Sequence, residues 1–355
     1  MVHLFSPLQL GDIQLKNRIA VSPMCEYSSA DGFANDWHMV HLGSRAVRGA
    51  GLVLSEATAV CPEGRISTAD LGIWKDEHVA SLRRITDFIL RQGSVPGIQL
   101  AHAGRKGSRT EPWTGDELVP PGKGGWKTVA PSALPFSAGY DTPVALTQEG
   151  IEKVVVDFKT AARRALGAGF RVVEIHAAHG YLVDQFLSPL TNKRTDTYGG
   201  SFENRIRLLR AIVASVRSVW PERYPLFVRI SATDWTEGGW SIEDSVALAG
   251  VLKGEGVDLL DCSSGGVVPG VKIPAAPGYQ VPFAERIRKE TGISTGAVGV
   301  IVKAEQAEEI IVRGQADLIL MAREMLRDPY FPLRAAAELG QDITWPAQYL
   351  RAKRK

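Results

Sequence analysis

The sequence predicts an α/β protein that folds as one (β/α)8 TIM barrel. Short apolar segments alternate with longer segments of helical periodicity, and the short segments are apolar nearly throughout. This pattern is typical of parallel strands that are covered by helices. The eight segments are 18–24, 51–57, 96–100, 171–176, 226–231, 258–263, 293–298 and 317–322. Because none reads as an obvious edge strand, a closed barrel is favoured over an open, doubly wound sheet.

Length, charge and hydropathy are compatible with a single domain over residues 1–355. Lys and Arg number 41 against 39 Asp and Glu, which leaves a net charge of +2. This balance predicts no nucleic-acid partner. Apolar runs stay shorter than the roughly eighteen residues that a transmembrane helix needs, and the N-terminus lacks the pattern of a signal peptide. We therefore expect a cytoplasmic protein with no membrane partner.

Two of the helical segments are the clearest. Apolar residues form a single stripe along 151–166, where Thr147 is a candidate N-cap and Gly167 ends the segment. A second helix is predicted over 203–219, stopping at Pro221. The first strand is not followed by a G-x-G-x-x-G motif, which counts against the open dinucleotide-binding alternative.

The segment 103–147 breaks the regular alternation of strands and helices. It follows the third strand, is rich in Pro and Gly, and contains Trp113 and Trp126. Loops this long are usually functional or disordered. Because it follows a strand, it should lie on the C-terminal face of the barrel, where it could roof an active site.

The polar residues of interest lie at strand ends, which is where barrels of this type carry their chemistry. His176 and His179 follow the fourth strand, and Tyr181 comes two residues later. A metal could use the histidine spacing, but it would need a third ligand, and neither an HExxH motif nor a carboxylate triad is evident. The alternative is a pair of hydrogen-bond donors for a carbonyl or nitro oxygen, with the phenol as proton donor.

Other strand ends offer less specific signals. Gln99 could be either a ligand contact or a satisfied polar residue of the barrel. Arg229 lies within an apolar strand and needs an anionic or strongly polar partner. Gly299 and the pair Ala322-Arg323 follow the last two strands, where barrels commonly bind phosphate.

A second histidine pair and the cysteines favour structural interpretations. His38 and His41 have the same spacing as the first pair but precede a helix away from any strand end, so we expect them to be structural. Cys25, Cys61 and Cys262 are far apart and provide neither a disulfide framework nor a CxxC ligand set. No metal is therefore expected.

Nearly the whole chain resembles the old yellow enzyme family, in particular its thermophilic-like, xenobiotic-reductase-like class. The resemblance begins with LFSPLQLGDIQLKNR at Leu4 and continues through SPMCEYS, SEATAVCPEGR and QLAHAGRK. Its most specific part is HAAHGYLVDQFLSPLTNKRTDTYGGSFENR, and it ends with FVRIS, GAVGVI and AREMLRDPYFPLR. The resemblance implies a (β/α)8 barrel that binds FMN non-covalently and reduces activated alkenes with NADPH or NADH as hydride donor.

The resemblance also implies roles for individual residues. The flavin ring would be bordered by Pro23, Met24, Cys25, Ala57 and Gln99, with Gln99 at its pyrimidine edge and Arg229 near N1. The phosphate would be held by Gly299, Val300, Ala322 and Arg323. His176 and His179 would bind the electron-withdrawing oxygen of the substrate, and Tyr27 would line the substrate side. Tyr181 would protonate the α-carbon as hydride passes from flavin N5 to the β-carbon.

Three departures from the better-known members affect these expectations. Cys25 stands where those members carry Thr, and His179 stands where they often carry Asn. The chain therefore fits the cysteine-bearing class, with enones, enals, maleimides and nitroalkenes as expected substrates. Ala322 occupies a position that is often glycine, and one methyl group there should be tolerated.

The C-terminal segment 345–355 resembles a tail that crosses to a neighbouring subunit in this class. Arg351 would be the arginine that reaches the partner's substrate site, which implies a homodimer or a tetramer built of dimers. The alternative is an exposed basic tail, because Arg351, Lys353, Arg354 and Lys355 lie together at the chain end.

Two further alternatives for the whole chain are a non-catalytic FMN-binding barrel and a flavin-free barrel lyase.

Overall fold

The computed structural model describes residues 2–353, so Arg354 and Lys355 of the predicted tail lie outside the described residues. The strands are β1 (Leu8–Leu10), β2 (Ile13–Leu15), β3 (Ile19–Val21), β4 (Leu52–Ala59), β5 (Val95–Ala101), β6 (Val129–Ala130), β7 (Val144–Ala145), β8 (Val172–Ala177), β9 (Leu226–Ser231), β10 (Leu259–Ser263), β11 (Ser294–Ala297) and β12 (Leu318–Met321). The α-helices are α1 (Asp36–Val47), α2 (His78–Arg91), α3 (Gln148–Gly167), α4 (Leu182–Leu187), α5 (Phe202–Arg205), α6 (Arg207–Arg217), α7 (Ile242–Gly254), α8 (Val281–Thr291), α9 (Ala304–Val312), α10 (Arg323–Arg327) and α11 (Phe331–Glu338).

The closed barrel is confirmed. Eight parallel strands pair in the order β3, β4, β5, β8, β9, β10, β11 and β12, and β12 pairs again with β3. These strands coincide with the eight predicted segments, with differences of a few residues at their ends. Every barrel strand is therefore paired on both sides, as the lack of an obvious edge strand indicated.

A β-hairpin that the sequence pattern did not predict closes the N-terminal end of the barrel. Strands β1 and β2 pair in antiparallel register. Their side chains Leu8, Leu10 and Leu15 are buried and pack against the first inward-facing residues of the barrel strands, including Leu52, Val172, Phe227, Leu259 and Leu318. The hairpin thus closes the barrel on the side opposite the strand ends that carry the candidate site.

The two predicted helices had different outcomes. Thr147 is the N-cap of α3, where its hydroxyl accepts a hydrogen bond from the backbone N–H of Gly150 at 3.2 Å, as predicted. The prediction of one helix over 203–219 is wrong, because α5 and α6 are separate and α6 ends at Arg217. The guanidinium of Arg205 donates to the carbonyl of Leu187 at 2.8 Å, which ties α5 to the end of α4.

Inward-facing residues change from apolar to polar along the barrel axis. Because side chains alternate in direction along a strand, every second residue of a barrel strand faces the interior. The apolar layer contains Val172, Phe227 and Leu259, the next layer contains Glu174, Arg229 and Asp261, and the top layer contains His176, Ser231 and Ser263. The polar layers lie at the C-terminal ends of the strands, where the candidate site is found.

Among residues 2–353, no helix combines the length and the hydrophobicity needed to span a membrane.

Candidate active site

His176 lies at the end of β8 with its hydrogen-bonding pattern largely determined by the backbone. Its ring is 3% exposed, and Nδ1 accepts a hydrogen bond from the N–H of Ala178 at 3.3 Å. A neutral imidazole whose Nδ1 is an acceptor carries its proton on Nε2. His176 can therefore donate a hydrogen bond through Nε2 into the mouth of the barrel.

His179 follows in a strained turn that is held from several sides. Its φ of 61° lies in the left-handed region, and its N–H donates to Ser231 Oγ at 2.9 Å. Its Nε2 lies 2.6 Å from Ser263 Oγ. The neighbouring Gly266 must be glycine, because a Cβ at that position would lie 2.8 Å from the Cα of His179.

Three aromatic rings converge at this point. The ring centroids of His176 and His179 are 5.2 Å apart, and those of His176 and Tyr181 are 5.0 Å apart, with edge-to-face geometry in both pairs. Burial, and then the charges of Arg229 and Lys106, hold the pKa of His176 well below its usual range. Burial and Arg229 lower the pKa of His179 in the same way. Both rings are therefore neutral hydrogen-bonding groups rather than imidazolium ions.

Tyr181 remains a protonated phenol. Burial raises its pKa well above the usual range, and the neighbouring Cys25, Tyr27 and Asp70 raise it further. It also lines a small internal cavity together with Ala57 and Asp70. Tyr181, which follows β8, therefore lies close to residues that follow β3, to Ala57 of β4 and to Asp70 in the loop after β4.

Lys106, at the start of the 103–147 segment, joins two loops of the site. Its Nζ donates to the carbonyl of His179 at 2.9 Å and to the carbonyl of Gly266 at 3.2 Å. It also lies 5.3 Å from the centre of the Tyr181 ring. Burial lowers the pKa of this ammonium group to about 8. Sequence reasoning missed Lys106, although the QLAHAGRK motif contains it directly after β5.

Further contacts tie the 103–147 segment to the same face of the barrel. The guanidinium of Arg105 donates to the carbonyl of Val267 at 2.6 Å, and Trp113 packs edge-to-face against Tyr27 at 5.7 Å. Within the segment, β6 and β7 form a short parallel pair. The segment thus contacts the loops around the His176 and Tyr181 rings.

Cys25 and Tyr27 lie in the extended stretch after β3, together with Pro23 and Met24, and all four side chains are half-buried. Burial raises the pKa of the Cys25 thiol well above its usual range, with smaller contributions from Asp70 and Glu56. Burial likewise raises the pKa of Tyr27, whose φ is 44°. Cys25 is therefore a neutral thiol, and within residues 2–353 all three cysteines are free.

Gln99 and Arg229 belong to the polar layer inside the barrel. The side-chain amide of Gln99 donates to Glu174 Oε1 at 2.8 Å. Arg229 Nε lies 3.1 Å from Asp261 Oδ2 as a buried ion pair, although the N–H does not point at that oxygen. Asp261 is the anionic partner that the buried arginine required. Sequence reasoning identified Arg229 but neither of the two carboxyls.

The four residues expected at the phosphate line one cavity of about 360 Å³. Gly299, Val300, Ala322 and Arg323 contribute to its wall. Gly299 has a φ of 123°, and a Cβ there would lie 3.0 Å from Gln280 Nε2. Only glycine fits this turn without displacing Gln280.

Ser263 and Gln280 connect this cavity to the histidines. Ser263 Oγ contacts His179 Nε2 and also lies 3.4 Å from Gln280 Oε1. The amide of Gln280 donates to the carbonyl of Val298 at 3.2 Å, next to Gly299. Sequence reasoning did not predict this connection, because Gln280 lies in a loop without a motif.

His38 and His41 do not belong to this site. Asn35 is the N-cap of α1, and its N–H donates to His38 Nδ1 at 3.1 Å in a capping box. The other nitrogen, Nε2, is 3.2 Å from Glu56 Oε1 and 3.3 Å from Ser29 Oγ. His41 Nε2 is 3.4 Å from Glu26 Oε1. The prediction that these histidines precede a helix is wrong, because both lie within α1, where their rings pack that helix.

Arg351 is the one predicted site residue that lies apart from the others. It is exposed in the 3-10 turn Ala347–Ala352. The preceding residues 342–348 line a cavity of about 660 Å³ with Lys16, Asn17 and Gly49, which precede β3 and β4. The tail of this chain therefore packs at the N-terminal end of its own barrel. In the described part of the chain, no group of three or more His, Cys, Asp or Glu side chains is arranged to hold a metal.

Comparisons with known proteins agree with this architecture. Residues 3–342 match the model of the NADH:flavin oxidoreductase / NADH oxidase family. An NADPH dehydrogenase from Listeria monocytogenes serotype 4a (strain HCC23) is 52% identical over 354 residues, which cover 99% of each chain.

Two solved structures have the same fold over almost the full length. Morphinone reductase in complex with tetrahydroNAD has a TM-score of 0.80 and 30% identity, covering 98% of this chain and 93% of that one. An old yellow enzyme homologue from Zymomonas mobilis has a TM-score of 0.79 and 28% identity, covering 98% of both chains.

Proposed function

Since this chain belongs to the NADH:flavin oxidoreductase / NADH oxidase family, the family of the old yellow enzymes, it is an FMN-dependent ene-reductase that uses a nicotinamide hydride donor, and we propose that its substrates are electrophilic alkenes. We include enones, enals, maleimides and nitroalkenes in that class. The observation that carries the proposal is the convergence of neutral His176, neutral His179 and protonated Tyr181 at the mouth of the barrel. Family membership also excludes the flavin-free lyase alternative.

The residues present fit FMN at both ends of the site. The cavity beside Gly299 leaves no room for a Cβ and has the guanidinium-bearing Arg323 on its wall, which suits a phosphate. In the barrel interior, the buried Nε of Arg229 lacks a hydrogen-bond partner among residues 2–353. Buried polar atoms usually have a partner, so a polar ligand edge is the natural complement.

We assign the flavin-contacting residues accordingly. The ring borders Pro23, Met24, Cys25, Ala57 and Gln99, and the phosphate binds Gly299, Val300, Ala322 and Arg323. Arg229 supplies positive charge at N1 and the C2 carbonyl, where negative charge accumulates. When bound, FMN supplies hydride transfer between the nicotinamide and the alkene.

The protein side chains act on the substrate at two atoms. His176 and His179 donate hydrogen bonds to the carbonyl or nitro oxygen, which becomes more negative as hydride adds to the β-carbon. Tyr181 donates its phenolic proton to the α-carbon. The raised pKa of Tyr181 keeps that proton in place until a carbanion-like acceptor is present. Tyr27 lines the substrate side.

Two parts of the site come from outside the barrel strands in this proposal. The 103–147 segment roofs the mouth, supported by the contacts of Lys106, Arg105 and Trp113.

The active unit is a homodimer or a tetramer of dimers, in which Arg351 enters the substrate site of the neighbouring subunit. The exposure of Arg351 at the far end of its own barrel is compatible with a role in a second copy.

An anaerobic visible spectrum tests the proposed reaction. NADPH should bleach the absorbance of the bound flavin, and addition of cyclohexenone should restore it within the mixing time or shortly after. Restoration by air but by none of cyclohexenone, N-phenylmaleimide and nitrostyrene would contradict the substrate class. It would favour the alternative of a barrel that binds FMN without reducing alkenes.

A further inference from the structure

The polar layer beneath the candidate site contains more buried carboxyl groups than the reaction described above uses. Glu174 and Asp261 are both 0% exposed, and Arg229 between them is 5% exposed. Strand register places Gln99 opposite Glu174 and Arg229 opposite Asp261. The layer is thus two neighbouring pairs, each made of a carboxyl group and a side chain that reaches toward the mouth of the barrel.

The two pairs differ in the kind of contact they make. Gln99 Nε2 donates a well-formed hydrogen bond of 2.8 Å to Glu174 Oε1. Asp261 Oδ2 lies 3.1 Å from Arg229 Nε, and this contact is an ion pair between opposite charges. Glu174 Oε2 and both oxygens of Asp261 have no hydrogen-bond partner among residues 2–353.

Charge balance requires one proton in this layer. Two ionised carboxylates beside a single guanidinium would leave a net negative charge in a fully dehydrated interior, which is strongly unfavourable. One carboxyl must therefore be neutral. Asp261 is the one in contact with Arg229, so the proton belongs on Glu174, at the oxygen that Gln99 does not occupy.

We propose that Glu174 and Asp261 are positioning residues for the pyrimidine edge of the flavin, Asp261 as the ionised counter-charge of Arg229 and Glu174 as a neutral carboxylic acid that orients the amide of Gln99. Asp261 then limits how much positive charge Arg229 presents to the ring. Glu174 accepts from the Gln99 amide nitrogen and so directs the remaining donor and acceptor of Gln99 at the ring edge. The inference rests on the placement of Gln99 and Arg229 in the proposed function.

The titration behaviour of the two groups agrees with this assignment. Burial, and then the charge of Asp261, raise the pKa of Glu174 to about 8, while Arg229 and Gln99 act in the opposite direction. Burial raises the pKa of Asp261 to about 6, and Arg229 opposes that rise. The higher of the two pKa values belongs to Glu174, which agrees with placing the single proton of the layer on Glu174.

Isosteric amide variants separate the two roles. Asp261→Asn removes a charge, whereas Glu174→Gln replaces one neutral group with another of the same shape. The midpoint potential of the bound flavin should rise in Asp261→Asn, because Arg229 then stabilises added negative charge without compensation. It should stay at the wild-type value in Glu174→Gln. Asp317→Asn is the matched control, since it breaks an Asp–Arg pair of 2.9 Å with Arg288 at the N-terminal end of β12.

The proposal would be overturned if the midpoint potential shifted equally in the two variants or more in Glu174→Gln. It would also be overturned if the potential fell in Asp261→Asn or shifted in neither variant. If Asp261→Asn does not retain flavin, infrared spectra of the wild type and Glu174→Gln test the protonation state of Glu174 instead. The wild type should show a protonated carboxylic-acid carbonyl band at neutral pH that Glu174→Gln loses, with or without flavin. A band that persists unchanged would show that Glu174 is ionised and the assignment wrong.

Neither measurement depends on alkene reduction, so the result is distinct from a failure of the proposed function. If cyclohexenone is not reduced, the substrate class is wrong while the two potentials still test the polar layer. If cyclohexenone is reduced and the potentials contradict the assignment, only the layer is misassigned.

Discussion

Two histidine pairs with the same spacing have different environments in this protein. His38 and His41 lie on helix α1, and three of their ring nitrogens contact Asn35, Glu56 or Glu26. His176 and His179 lie at the end of β8, and within residues 2–353 only one ring nitrogen of His176 is occupied, by a backbone N–H. The ring nitrogens of the first pair already have partners that pack α1, whereas the second pair retains hydrogen-bonding capacity at the mouth of the barrel.

The difference shows that spacing does not identify a functional histidine. The strand end orients the second pair toward a shared space, and the left-handed turn at His179 bends the chain so that both rings meet. A helix gives the first pair a common face, but the neighbouring carboxyl groups already occupy that face. The following experiments test this contrast, in order of decreasing expected effect.

The largest effect is expected from the phenol that stands beside the second pair. Tyr181→Phe should slow the reoxidation of the flavin by cyclohexenone on the order of a thousandfold, because general-acid catalysis typically contributes that much. Flavin reduction by NADPH, measured by stopped-flow absorbance, should remain near the wild-type rate. If both half-reactions slow equally, Tyr181 has a binding or structural role instead.

Removing the second histidine pair should weaken the binding of phenols, which mimic the enolate oxygen. His176→Ala combined with His179→Ala should raise the dissociation constant of 4-hydroxybenzaldehyde about 100-fold, as expected for lost hydrogen bonds to a charged oxygen. Because the pKa of both rings is lowered well below the usual range, this affinity should not follow a histidine titration around neutral pH.

The matched control for that variant is His38→Ala combined with His41→Ala, read out by the same spectral titration. It should bind the phenol as tightly as the wild type does. A similar loss of affinity in both double variants would remove the contrast between the pairs.

The first pair should matter for stability instead. His38→Gln should lower the free energy of unfolding by about 1 to 2 kcal/mol, since it disturbs the capping box of α1 and the buried contact with Glu56. Urea unfolding followed by circular dichroism measures this change. An unchanged unfolding midpoint would mean that the ring is dispensable for packing.

The smallest effect is expected at the tail. Arg351→Ala should raise the Michaelis constant for substrate by up to about fivefold, because a charged contact that remains accessible to water contributes about 1 kcal/mol or less. Flavin affinity and dimer mass, measured by light scattering, should stay the same. A protein that is monomeric at micromolar concentration and fully active would contradict the crossing tail.

Apart from the contrast between the histidine pairs, the polar layer predicts that wild type and Glu174→Gln differ in how the free energy of unfolding depends on pH. A carboxyl whose folded pKa is raised stabilises the fold fully below its unfolded pKa, and this stability is lost as the pH rises through the folded pKa. With the pKa of Glu174 raised to about 8, this one group should make the free energy of unfolding fall between about pH 4 and pH 8 by up to about 1.4 kcal/mol per pH unit, on top of the contributions of all other groups. Compared with flavin-free wild type, flavin-free Glu174→Gln should lack this contribution to the slope, and an equal slope in the two proteins would contradict a protonated Glu174.

Much of the fold was predictable because it depends on local patterns. The eight barrel strands are continuous apolar segments, and Thr147 caps α3 through a bond to a residue three positions away. The β1–β2 hairpin was not predictable in this way, because its short strands pack against barrel residues such as Leu52, Val172 and Phe227, which are remote in sequence. The contact of Arg205 with Leu187, which ties α5 to α4, likewise joins residues that are 18 positions apart in the sequence.

The sequence by itself determined the barrel, the placement of its polar residues at the strand ends and the need of Arg229 for an anionic or strongly polar partner. Only the tertiary structure decided that this partner is Asp261, that Lys106 joins the loops of His179 and Gly266, and that Ser263 contacts His179. Periodicity assigns each residue to the interior or exterior of its own strand. The pairing of side chains across strands depends on the register and closure of the whole barrel, which no single segment encodes.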